Sequence, residues 1–243
     1  MLGEALCLVL LLLFFPAVLS AEGEEAADPF AVDAMPTVPP SGPDYLVPLD
    51  NSDSEWRKPY VAKLDAKLKP KDFAWARMIC RPSFEGESIV FIHGEEKDRE
   101  LEKTEKFRVT ARIAQTSIWY SLPDNNDEKA DKEVKISSFT IPLEKDLALR
   151  LINIWNRMLE RTREPEEGVD GLDGVTFEFS VSGKIGEIWS PTDNVSPGML
   201  ANIGLALQKY AESEANAREA LAKELKVKVL RLEKYLAERP LKK

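Results

Sequence analysis

The sequence predicts an α+β fold: a mainly antiparallel sheet (four strands, a helix, a hairpin) packed on one face by helices, with a long C-terminal helix. Three observations carry that expectation. Apolar and polar residues alternate over Phe107–Ile113 and Val175–Val181, the period of a half-buried strand. Apolar residues recur at helical spacing over Leu147–Leu159. The strand patterns also come in groups instead of alternating one by one with helices, which favours antiparallel pairing.

The elements follow in order. Val61, Leu64 and Leu68 mark a short helix from Pro59 to Lys69, ended by Pro70. Phe73–Cys80 reads as a strand, and Arg81-Pro82-Ser83-Phe84-Glu85-Gly86 as a turn. Ile89-Val90-Phe91-Ile92 is a continuous apolar run within Ser88–His93, the mark of a central strand. After the charged connection from Gly94 to Lys106, Phe107, Val109, Ala111 and Ile113 face one side of a third strand, and Ile118, Trp119 and Tyr120 extend or follow it. Val134–Ile141 is the fourth strand. Pro142 suits the first position of a helix, with Glu144 and Asp146 in its first turn and Arg161 and Arg163 in its last, both favourable to the helix dipole. Val175–Val181 and Lys184–Trp189 form a hairpin across Ser182-Gly183, where Gly186 upsets the alternation and reads as a bulge.

Ser196-Pro197 reads as an N-cap followed by proline at the first helical position. No Pro or Gly interrupts Leu205–Arg239, a span rich in Ala, Leu, Glu, Lys and Arg. One long helix is therefore expected. Its stripe thins beyond Ala211, where Leu221, Leu225, Val229, Leu232 and Leu236 continue among polar neighbours. Such a stripe has three ways to leave water: folding back on its own domain, self-association or coiled-coil pairing with a protein partner, or lying on a membrane surface.

Four regions result: a signal peptide over 1–20, an acidic Pro-rich flexible segment over 21–55, an α+β domain over 56–211, and an extended helix with a basic tail over 212–243. The leader is the apolar run Ala5–Leu19, followed by small residues and then by Glu22, Glu24 and Glu25. It falls short of the roughly 18–20 apolar residues a spanning helix needs, and Pro16 would break its last turn. Cleavage after Ser20 leaves no spanning segment and points to a secreted or periplasmic protein. One feature departs from the pattern: the opening stretch Met1–Glu4 contains Glu4 and no Lys or Arg. Of the two cysteines, Cys7 lies in the leader, so Cys80 remains without an intramolecular partner and reads as a small buried hydrophobe.

A net charge of −9 argues against general nucleic-acid binding, which wants a basic footprint. His93 is the only histidine, so a two-histidine metal site within one chain is excluded. A calcium loop started at Asp124 fails with Lys129 at its glycine position and Lys135 at its bidentate carboxylate. The acidic loop Glu166–Gly174 has no recognisable ligand spacing. No cofactor motif is present. Trp119, Tyr120 and Trp189 are the candidate aromatic contacts for sugars or peptides, and Asn194-Val195-Ser196 is a glycosylation sequon that its use as a helix cap would oppose. The expectation is an exported, non-enzymatic binding or interaction domain. The alternative is an exported hydrolase with carboxylates that sequence spacing cannot reveal.

Overall fold

The computed structural model describes residues 43–49, 57–70, 73–95, 100–123, 133–165 and 173–240. The leader, most of the acidic segment, most of both acidic loops and the last three residues lie outside the described residues.

Six strands build one antiparallel sheet: β1 (Ala76–Pro82), β2 (Ser88–His93), β3 (Phe107–Ala114), β4 (Ile136–Leu143), β5 (Val175–Val181) and β6 (Lys184–Trp189). Their spatial order is β4-β3-β2-β1-β5-β6. The first four form a meander, and helix α2 (Lys145–Leu159) carries the chain back across the sheet to the β5–β6 hairpin. The α+β expectation therefore holds, with the four strands and the hairpin in a single sheet.

Alternation divides the sheet into two faces. Met78, Val90, Ile92, Val109, Ala111, Ile141, Phe177 and Phe179 point into the main core, under α2 and two further helices, α3 (Ser196–Glu212) and α4 (Arg218–Glu238). Ile79, Ile89, Phe91 and Ala114 point to the other face, where Tyr60, Leu64 and Leu68 of α1 (Arg57–Leu68) close a second, smaller core. Helices thus pack on both faces.

Several local expectations are corrected. Pro142 belongs to β4 and not to α2; on an edge strand its missing N–H can face away from the ladder at no cost. Arg161 and Arg163 fall beyond α2, and Arg161 donates instead to the carbonyls of Leu236 and Arg239 at the C-terminus of α4. Gly186 makes no bulge: it pairs regularly with Phe179, and a Cβ there would come within 3.2 Å of Leu46 Cβ and 2.9 Å of Thr162 Oγ1. Ser182 (φ 50°) and Gly183 (φ 83°) supply the two left-handed residues of the tight hairpin.

Leu46 is the second surprise. The 21–55 segment is expected to be a spacer, yet residues 43–49 form a strap along β6, with Leu46 fully buried. Val47 and Glu187 exchange backbone hydrogen bonds of 2.9 and 2.8 Å. Tyr45-Leu46-Val47 is an apolar triplet, enough to dock where the acidic sequence around it is not.

The long helix is also broken. Residues 213–217 turn the chain, Ser213 Oγ donating to the Tyr210 carbonyl at 2.7 Å, a local bond that competes with helix continuation. α4 then folds back on α3 and α2. The stripe proposed for a partner is consequently spent at home: Leu225, Val229, Leu232 and Leu236 are buried in the main core, and Leu221 is half-buried. Lys226–Glu144 (2.6 Å) and Arg150–Glu233 (2.8 Å) tie α4 to the α2 side.

Candidate binding surface

Antiparallel topology sends the β1–β2 turn, the β3–β4 connection and the end of β6 to one end of the sheet. All three candidate aromatics lie there. Trp119 and Tyr120 begin a single 3-10 turn, Trp119–Ser121, so of the two expectations, extending β3 or following it, the second is what is seen. They stay 38% and 55% exposed, and Phe84, which sequence reasoning passed over, is 65% exposed in the β1–β2 turn. Trp189 is half-buried and belongs to β6, four strands and roughly 19 Å from β3, so it does not join them.

The mount beneath Trp119 and Tyr120 is specific. Glu87, only 1% exposed, accepts hydrogen bonds from the backbone N–H groups of Ile118 (2.6 Å) and Trp119 (3.1 Å). A buried carboxylate is costly unless its oxygens are satisfied, and these two donors satisfy them. The Tyr60 ring meets Trp119 edge-on at 5.1 Å. Burial, and next the adjacent Glu87 charge, push the Tyr60 hydroxyl well above its ordinary pKa. Lys63 Nζ donates to the Ser121 carbonyl at 3.1 Å, and Ser121 Oγ to the Ile118 carbonyl at 2.5 Å. Gly86 lets the β1–β2 turn close against β3, since a Cβ there would overlap the Ala114 carbonyl at 1.9 Å. The signal for Glu87 was available in sequence: an acid directly before an apolar strand needs a reason.

His93 and Cys80, side chains suited to acid–base or nucleophilic chemistry, lie within the sheet. His93 Nδ1 lies 3.1 Å from the Gly94 carbonyl and Nε2 3.0 Å from Thr110 Oγ1, which continues to Thr140 Oγ1 at 2.8 Å. With Nδ1 protonated the three side chains form one hydrogen-bonded chain. Cys80 packs against the main core on the opposite face of the sheet from His93, and burial pushes its thiol up to about 11. Glu178 and Glu187 stand directly opposite each other on β5 and β6. Each is bound by an arginine: Arg77–Glu178 at 3.3 Å and Arg81–Glu187 at 2.5 Å. Both carboxylates are thus engaged by the neighbouring strand β1.

The other end of the same face carries an open groove of about 400 Å³ lined by Lys69, Phe73, Arg77, Ser180, Ser182 and Ile185. Its cations are matched, Lys69 by Asp65 (2.5 Å) and Arg77 by Glu178. Among the described residues no cluster of His, Cys, Asp and Glu could hold a metal, and no helix is long and apolar enough to cross a membrane. The sequon serine is fully buried, its Oγ donating to Asp44. Compared with protein-family models, curated proteins and solved structures, the chain matches none.

Proposed function

We propose that the chain is an exported, non-enzymatic binding domain that docks a protein partner through Trp119 and Tyr120. One observation carries the reading: a buried carboxylate is spent on fixing a turn whose two aromatic side chains remain exposed. Large aromatics held rigid before binding lose little entropy on contact, and Trp and Tyr dominate the energetics of protein interfaces. Phe84 offers a further exposed aromatic at the same end of the sheet. Export rests on the apolar leader and its abrupt acidic boundary, and secretion or a periplasmic residence follows from it.

The test compares the wild-type chain with a Trp119→Ala/Tyr120→Ala variant, crosslinked in the compartment where each accumulates. The expected result is a discrete adduct with the wild type, lost in the variant while its melting temperature stays close to the parent. An adduct that survives the double substitution would remove this surface from the reading. N-terminal sequencing of the same material is expected to begin at Ala21, and an intact Met1 would refute export.

A further inference from the structure

The sheet has two edges, and they are treated differently. β6 carries Lys184 and Glu187 and is bridged by the strap at Val47. β4 reads Ile-Ser-Ser-Phe-Thr-Ile-Pro-Leu, eight residues without a charge, and no described strand pairs with its outer side. Edges are normally blunted by charge, proline or a cover. Among the described residues of β4, only Pro142, near its end, serves that purpose.

We infer that β4 pairs with β4 of a second copy of this chain, antiparallel and centred on Ser138. The register follows from the hydrogen-bond phase. Gln115 N–H donates to the Lys135 carbonyl at 2.9 Å, so alternation aims residues 137, 139 and 141 at β3, and Ile136, Ser138 and Thr140 outward. A two-fold axis at Ser138 sets Ser138 against its own copy and Ile136 against Thr140, matching every outward N–H with a carbonyl. It also leaves Pro142, which has no N–H to give, outside the paired stretch. In such a pairing a charged residue on the axis would face its like; this edge has none. Ser138 and Thr140 are small and exposed, and Phe139, 36% exposed, would lie opposite Ser137 of the second copy and lose water there.

The edge calls for a strand that brings no charge to the paired stretch and a small residue opposite Ser138, and β4 of a second copy is such a strand. The experiment is sedimentation of the purified chain from micromolar to submillimolar concentration, with Ser138→Lys and Ser138→Glu variants. The wild type is expected to reach twice the monomer mass. Each variant alone should stay monomeric, and an equimolar mixture of the two should restore the dimer, because Lys then faces Glu. A wild type that remains monomeric throughout overturns the inference, as does a dimer that persists in both variants. Hydrogen exchange on the wild type gives a readout that needs no variant. The Ile136, Ser138 and Thr140 amides should slow with concentration, and concentration-independent exchange would equally overturn it.

Discussion

Asp44 and Ser196, 152 residues apart, share a cap: Asp44 Oδ1 accepts from the Ser196 N–H at 3.0 Å and from its Oγ at 2.5 Å. The strap thus satisfies the first turn of α3, a task the sequence assigns to Ser196 itself. Asp44→Ala should cost about 1–2 kcal/mol in urea unfolding, with Asp44→Asn much milder because its amide oxygen still accepts. Equal midpoints for wild type and Asp44→Ala would show that the strap is not what holds α3.

Glu87 offers a sharper contrast. Glu87→Gln keeps one acceptor but brings an amide towards two backbone donors, whereas Glu87→Ala strands both donors in the core. The expected losses are about 1–2 kcal/mol for Gln and roughly 3 kcal/mol for Ala. A red shift in tryptophan emission should accompany them as Trp119 loosens. A stability loss without any spectral change would mean Glu87 supports the fold but not the aromatic mount.

Much of the architecture was legible because it depends on local periodicity. Phe107–Ala114 and Val175–Val181 announce strands wherever they sit, and Leu147–Leu159 a helix. What escaped depends on contacts far apart in sequence. Nothing near Leu46 says that it fills the space left by Gly186, and nothing near Arg161 says that it serves the carbonyl end of α4. The break at Ser213 was hidden for another reason: without glycine or proline, a turn needs only a local side-chain bond and a core for α4 to return to. At the candidate surface the aromatic residues were visible in sequence, but their grouping and the carboxylate beneath Trp119 were not.

Alkaline pH should destabilise the fold. Burial raises the Cys80 thiol to about 11 and raises Tyr60, Tyr210 and Tyr235 above the ordinary phenol value. A group with a raised pKa keeps its proton longer when folded, so its contribution is whole below the unfolded value and is lost as pH climbs through the folded one. Cys80 alone should remove on the order of 2 kcal/mol between about pH 9 and pH 11. Cys80→Ser should flatten that part of a stability-versus-pH curve, leaving the tyrosine part above about pH 10. The same burial predicts slow reaction of the folded thiol with a disulfide reagent at pH 8 and fast reaction in urea. Rapid labelling of folded protein would contradict it.

The burial of α4 decides how its residues respond to truncation. Leu232 has no exposed surface and belongs to the main core, whereas Leu221, about three turns earlier on the same stripe, is half-buried. Leu232→Ala should therefore cost about 2–5 kcal/mol and Leu221→Ala no more than about half of that, in chemical denaturation of the purified chain. Deleting residues 213–243 removes Leu225, Val229, Leu232 and Leu236 together and uncovers the sides of α2 and α3 they pack on. The shortened chain should lose its cooperative transition and aggregate instead of yielding a clean monomer. A soluble, cooperatively folding product would mean that α4 leans on the domain without completing its core, and equal costs for Leu221→Ala and Leu232→Ala would point the same way.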